Sequence, residues 1–148
     1  MILTAFTSSA SVETRLIRMK TISFVSLISL ATAGLALAAV DLSKLPPAAT
    51  AKGVTFDKDI KPIFEKSCVK CHGAEKQKGK LRLDSLEATL KGGENGEGIV
   101  KGDSLKSSLV VSISRLDEDT AMPPDGKGEP LTPAQVGLVR AWIDQGAK

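Results

Sequence analysis

Tyrosine is absent from this 148-residue chain, tryptophan occurs once, and aromatic residues make up 3% of it. The chain is therefore short of the large side chains on which a small core is usually built. A flat, mostly apolar bound group would fill that gap. Histidine occurs once and cysteine twice. A structural zinc site wants four Cys or His ligands, so this count excludes one. Charge is also modest: the formal net value is +3. The basic residues form no dense run, which argues against a nucleic-acid partner. Gly92, Gly93, Gly96 and Gly98 lack the G-x-x-x-x-G-K-[ST] pattern of a phosphate cradle, and Asp117-Glu118-Asp119 lacks the spacing of a calcium loop. What remains is an ordinary soluble composition, 42% hydrophobic and 25% charged, at a length that allows one domain with a processed start.

Both cysteines and the single histidine fall in one stretch, Cys68-Val69-Lys70-Cys71-His72. It fits C-x-x-C-H, the pattern for covalent attachment of a c-type haem. Two thiols at this spacing lie on one side of a tight turn, where they can add to the two haem vinyl groups. The imidazole that follows can reach the iron as proximal ligand. A thioredoxin-type redox pair would need the motif between a strand and a helix of a βαβ unit, and no such pattern occurs.

Residues 1–38 carry the features of an export segment. Arg15, Arg18 and Lys20 precede an apolar stretch from Ile22 to Leu37, and Ala36-Leu37-Ala38 fits the small-x-small rule for cleavage after Ala38. Met19-Lys20 would make a more usual start, so Met19 is the alternative initiator. Thr21–Val40 is also about long enough to span a bilayer, so a retained anchor is the competing reading. Membrane contact is expected only in that case. Residues 39–53, with Pro46-Pro47 and no apolar periodicity, read as an extended linker, and the domain is expected over residues 54–148.

Within the domain the pattern is helical. Ile60, Ile63 and Phe64 share one face of a helix that leads into Cys68. Thr55 or Asp57 caps its start, and Pro62 makes it begin late or kink. Phe64 points either to a haem pocket or into ordinary core. Leu81-Arg82-Leu83-Asp84 alternates as a short extended segment, with Arg82 placed for a salt bridge to Asp84 or Glu87, or for a haem propionate. Ser85 caps a short helix through Leu90. Asp103 or Ser104 opens a turn, and Leu105, Leu109, Val110 and Ile113 mark a helix over about Ser107–Ser114. The final helix starts from a capping box, Thr132 with Gln135, carries Pro133 in its first turn and stops at Gly146. Its face of Val136, Val139, Trp142 and Ile143 is expected to pack near Ile60 and Ile63. Lys66, Lys70, Lys76, Lys78 and Lys80 surround the motif. They read as a solvated face, with partner steering as the alternative.

Met122-Pro123-Pro124 is the second notable stretch. Cleavage after Ala38 would remove Met1 and Met19 and leave Met122 as the one methionine. A thioether is a suitable sixth ligand for haem iron, and flanking prolines hold a loop with little entropy to lose. A methionine is more often core, but this one lies in a polar, Pro/Gly-rich loop. With one histidine in the chain, bis-His ligation is excluded.

From about Val54 to Ala147 the chain resembles a class I c-type cytochrome domain, and it is most similar to the planctomycete-type cytochrome c group. The residues that carry this are Phe56 with Asp59-Ile60-Lys61-Pro62-Ile63, and Cys68-Val69-Lys70-Cys71-His72-Gly73. They continue through Leu81-Arg82-Leu83-Asp84, Gly92-Gly93, Ile99-Val100, Gly102-Asp103, Ser108-Leu109, Met122-Pro123-Pro124, and Trp142-Ile143 with Gly146-Ala147. The resemblance implies an all-α, cytochrome c-like fold packed around one covalent haem c. It implies thioether bonds to Cys68 and Cys71 and axial ligation by His72 and Met122. It further implies single-electron transfer between redox partner proteins rather than catalysis, and attachment of haem outside the cytoplasm, which fits an exported, periplasmic protein. Two alternatives share the motif: a haem module of a larger membrane or dehydrogenase complex, and an open-site peroxidase or sensor in which Met122 does not bind iron.

Overall fold

A computed structural model of the chain describes residues 40–148. The expected export segment, its cleavage point, the alternative start at Met19 and most of the Thr21–Val40 stretch lie outside the described residues. Among the described residues the structure is helical with no sheet, in keeping with the all-α expectation. The main helices are α1 (Lys61–Ser67), α2 (Leu86–Lys91), α3 (Ser108–Ser114) and α4 (Pro133–Asp144). No helix there is long and apolar enough to cross a membrane.

The chain enters α1 through a π-helical turn, Phe56–Ile60. Thr55 precedes it in an extended conformation, and its amide donates to Asp59 Oδ2 at 2.8 Å. Thr55 thus holds the expected cap position, but the capping bond comes from Asp59 reaching back. Pro62 sits in the first turn of α1, where a missing amide donor costs nothing. That placement is why the α-helix begins only at Lys61.

The wider turn puts Phe56 and Ile60 into the core together. Phe56 lies edge-on to Phe64, with ring centroids 6.2 Å apart, and tilted against Trp142 at 5.7 Å. Trp142, Phe56, Phe64 and Ile60 are all fully buried, and Ile63 belongs to the same cluster. Trp142 meets the beginning of the domain as expected, with the ring of Phe56 as its aromatic neighbour. Full burial of a phenylalanine contributes about 1.5–3 kcal/mol, so Phe56 and Phe64 carry much of this small core. Phe64 is ordinary core, one of the two readings its position allowed.

The last helix is built as its sequence requires. Thr132 Oγ1 accepts from the Gln135 amide, and Gln135 Oε1 accepts from the Thr132 amide at 2.8 Å. At the other end the Gly146 amide donates to Ile143 O and the Ala147 amide to Trp142 O, with Gly146 at φ 97°. This paired closure needs a left-handed residue after the helix, which glycine supplies freely. The buried face, Val136, Val139, Trp142 and Ile143, packs on the Phe56–Ile60 turn and on α3.

Two further ties fix α4. Ser104, buried before α3, donates from its amide to Asp144 Oδ1 at 2.7 Å and from its hydroxyl to Oδ2 at 3.1 Å. On another side, residues 45–53 run along α4 as a strap. The Ala49 amide donates to Gly137 O at 2.8 Å, Arg140 donates to Pro46 O, and Gln145 bridges the Gly53 amide and Ala51 O. A Cβ on Gly137 would lie 2.6 Å from Pro47 O, so the strap reaches the helix because that residue has no side chain. The described part of the expected extended linker is not extended throughout: Leu42–Lys44 forms a 3-10 turn, Gly53 has φ 65°, and residues 45–53 are tied to α4.

Candidate haem-attachment site

The motif is a continuation of α1. Cys68 and Val69 amides both donate to Phe64 O, at 2.7 and 3.0 Å, and the Cys71 and His72 amides donate to Cys68 O at 3.0 and 2.9 Å. The two cysteines therefore belong to one tight turn, and neither is in a disulfide. Gly73 closes the turn. A Cβ there would sit 2.5 Å from Val69 O and 2.8 Å from Val69 Cγ1, so any larger residue would push the turn open.

The chain then doubles back and clamps His72 from both sides. The Lys78 amide donates to Cys71 O at 3.0 Å, and the Leu83 amide donates to His72 O at 2.8 Å. His72 Nδ1 lies 3.1 Å from Lys78 O. A backbone carbonyl can only accept, so this contact selects the tautomer with the proton on Nδ1. That leaves the Nε2 lone pair as the available ligand. Burial lowers the pKa of His72, aided by the charge of Lys78 and opposed by backbone hydrogen bonds to Lys78 and Leu81. The net direction favours the neutral imidazole, the form that binds a metal.

Cys68 is buried, and that burial pushes its pKa up to about 12. It therefore holds its proton as a thiol. Cys71 is half-buried. Two unpaired sulfurs on one turn, followed by an imidazole with a free acceptor nitrogen, fit a covalent haem. They do not fit a thiolate-bound metal ion, and among the described residues no group of three or more His, Cys, Asp or Glu side chains could hold one.

Met122 is 36% exposed and outside the hydrophobic core, so the ordinary core role of a methionine does not apply. Its amide donates to Ser112 O at 2.9 Å, in the last turn of α3. Pro123 is buried. Arg115 donates to Pro123 O and to Asp125 Oδ1. The loop also passes beside the end of α1. A Cβ on Gly128 would stand 3.4 Å from Pro123 and 3.7 Å from Ser67 O, and Lys66 pairs with Glu129 at 3.1 Å. The Met122 loop thus abuts the residue immediately before Cys68. Neither His72 nor Met122 belongs to the core, and no hydrogen bond joins them.

An open cavity of about 680 Å³ borders the motif, lined by Val69, Lys70, Ala74, Glu75, Lys76 and Asp84. Neither His72 nor Met122 lines it, so it is not the space between the two expected axial residues. Arg82 makes the salt bridge rather than standing free: Nε and Nη2 hold the two carboxylate oxygens of Asp84 at 3.0 and 2.7 Å. This pairing holds the Asp84 carboxyl below its usual range. Lys66, Lys70, Lys76, Lys78 and Lys80 are all exposed.

Three contributors carry no sequence signal. Lys78 and Leu83 act through backbone atoms, which any residue has. Arg115 acts through a side chain, but it sits in the left-handed conformation that favours glycine, and no pattern marks it.

Residues 68–126 match the family model described as Planctomycete cytochrome C. The match opens on Cys68 and takes in His72 and Met122. No curated protein and no solved structure matches the chain. A cytochrome c domain points to haem binding and electron transfer. The segment 68–126 is thereby assigned to the planctomycete-type cytochrome c group, the group its sequence resembles.

Proposed function

We propose that this protein is an exported, periplasmic mono-haem c-type cytochrome that carries single electrons between redox partner proteins. Cys68 and Cys71 hold the haem, and His72 and Met122 ligate its iron. The observation that carries this reading is the attachment turn itself: both thiols and an imidazole with Nδ1 tied to Lys78 O, within a segment that matches a cytochrome c family.

A bound haem supplies a one-electron ferric/ferrous couple. The protein residues have simpler tasks. Each thiol adds S–H across a vinyl C=C, which needs no oxidant and releases no leaving group. His72 offers Nε2, and the bond from Nδ1–H to Lys78 O fixes the ring and raises its basicity. Met122 offers a thioether, which favours the reduced iron and raises the potential. The exposed surface around the motif suits brief docking with a partner.

The test is the absorbance spectrum of the exported, reduced protein, taken with its intact mass. A c-type α band that survives acid–acetone extraction, with the mass increment of one haem, is expected. Loss of the band on extraction overturns covalent attachment. A weak far-red band in the oxidised protein should vanish in Met122→Ala. A wild-type protein without that band, with a high-spin spectrum and rapid CO binding, would instead be an open-site haem protein.

A further inference from the structure

We propose that Arg115 is a positioning residue for the sixth iron ligand: its guanidinium clamps the Met122-Pro123-Pro124 loop to the end of α3 and so holds the Met122 sulfur on the iron. This rests on the reading of Met122 as axial ligand.

Three observations converge on the clamp. Arg115 donates to the carbonyl of Pro123, the residue that follows Met122, and to the carboxylate of Asp125 beyond it. One side chain thus spans the Pro-Pro segment and fixes it at two points. The Met122 amide donates at 2.9 Å to Ser112 O, a carbonyl that also accepts from the Arg115 amide at 3.1 Å. The loop and its clamp are anchored on the same helix-end oxygen. Finally, Arg115 caps α3 in the left-handed region. Glycine would sit there without resistance. The chain accepts a side chain in a position that disfavours one, and that side chain makes both contacts to the methionine loop.

The electrostatics suit the task. The Arg115 side chain is 27% exposed while Asp125 is 93% exposed. The guanidinium is therefore the fixed partner, half-enclosed between helix end and loop, and the carboxylate closes on it from solvent. An exposed ion pair adds little by itself. The bond from a charged donor to the Pro123 carbonyl is the stronger tether, because charge-assisted hydrogen bonds exceed neutral ones. Its loss would leave Met122 itself tied to α3 through its own amide, with one tether fewer on the residue that follows it, and let the sulfur leave the iron more often. A competing ligand for ferric iron would then bind faster. Helix α3 itself is held by its buried Leu109, Val110 and Ile113, none of which depends on Arg115.

The experiment compares haem-loaded wild type, Arg115→Gly, Arg115→Lys, Asp125→Asn and Met122→Ala. The readouts are the far-red ferric band, the rate of cyanide binding, the midpoint potential and far-UV circular dichroism. Arg115→Gly relieves the backbone, so helix content should hold. Its band should weaken and cyanide binding should quicken by roughly tenfold or more, the effect of removing one charged donor. The potential should fall towards that of Met122→Ala. Arg115→Lys keeps one donor and should recover part of the loss. Asp125→Asn, which spares the Pro123 bond, should change the rate far less. A wild type with the band, in which Arg115→Gly retains full intensity and the native cyanide rate, overturns the clamp alone. If Arg115→Gly does not fold, a native rate in Arg115→Lys together with a rise of roughly tenfold in Asp125→Asn would overturn it equally. A wild type without the band, or a Met122→Ala spectrum identical to it, overturns the ligation reading and the clamp together.

Discussion

Gly137→Ala is the sharpest test of how the strap is held. In the interior of a solvated helix this substitution stabilises, by about 0.8–1.0 kcal/mol, because alanine loses less backbone entropy than glycine. Here the new methyl would stand 2.6 Å from Pro47 O and 3.5 Å from the Ala49 nitrogen. The first distance is too short for a carbon and an oxygen, and both partners are backbone, so no side chain can swing aside. Either the strap lifts or α4 shifts. Overpacking of this kind costs about 1–3 kcal/mol. Lifting the strap also loses the Ala49–Gly137 hydrogen bond. Such a bond is worth about 0.5–1.5 kcal/mol. The clash exceeds the gain in propensity, and a net destabilisation of about 1–3 kcal/mol is expected. Urea unfolding followed by far-UV circular dichroism reads this as a lower midpoint at unchanged slope. The sign should reverse in a chain that begins at Val54, where no strap opposes the methyl. A Gly137→Ala protein that is more stable in the presence of the strap would refute the packing argument. So would an equal effect with and without it.

Two further outcomes follow from contacts elsewhere. Asp144→Ala leaves the buried Ser104 amide without its acceptor, Asp144 Oδ1. By the same unfolding assay this should cost about 1–3 kcal/mol, whereas Asp144→Asn, which keeps one oxygen, should cost less. In protein made without haem, iodoacetamide should label half-buried Cys71 well before Cys68, whose burial and pKa of about 12 keep it a shielded thiol. Peptide mass spectrometry showing equal labelling would contradict the buried placement.

The parts of the fold that are legible in the sequence are those written in side-chain chemistry close along the chain. The Thr132–Gln135 box, the Ser85 cap on α2 and the late start of α1 at Pro62 each depend on neighbours within a turn or two. The attachment motif is legible for the same reason. The strap is not, because its bonds run to a helix at the far end of the chain, and Pro-Ala composition says nothing about a distant glycine. The orientation of His72 is hidden too, since its partner is a carbonyl rather than a side chain. Arg115 carries no mark because arginine is common at helix ends, and only the fold shows which way its guanidinium reaches.

The attachment turn and the closing of the domain draw on different stretches of sequence. Every bond that shapes Cys68, Cys71 and His72 comes from the chain between Phe64 and Leu83. The ties that close the domain, Arg140 to Pro46 and Gln145 to Gly53, bridge 94 and 92 positions. Short loops close early and cheaply, whereas distant pairings wait for the whole chain. The Cys68–His72 turn is thus encoded so that it can take shape on a chain whose distant parts are still unfolded. The later arrival of α4 would then enclose a turn whose own bonds are already made.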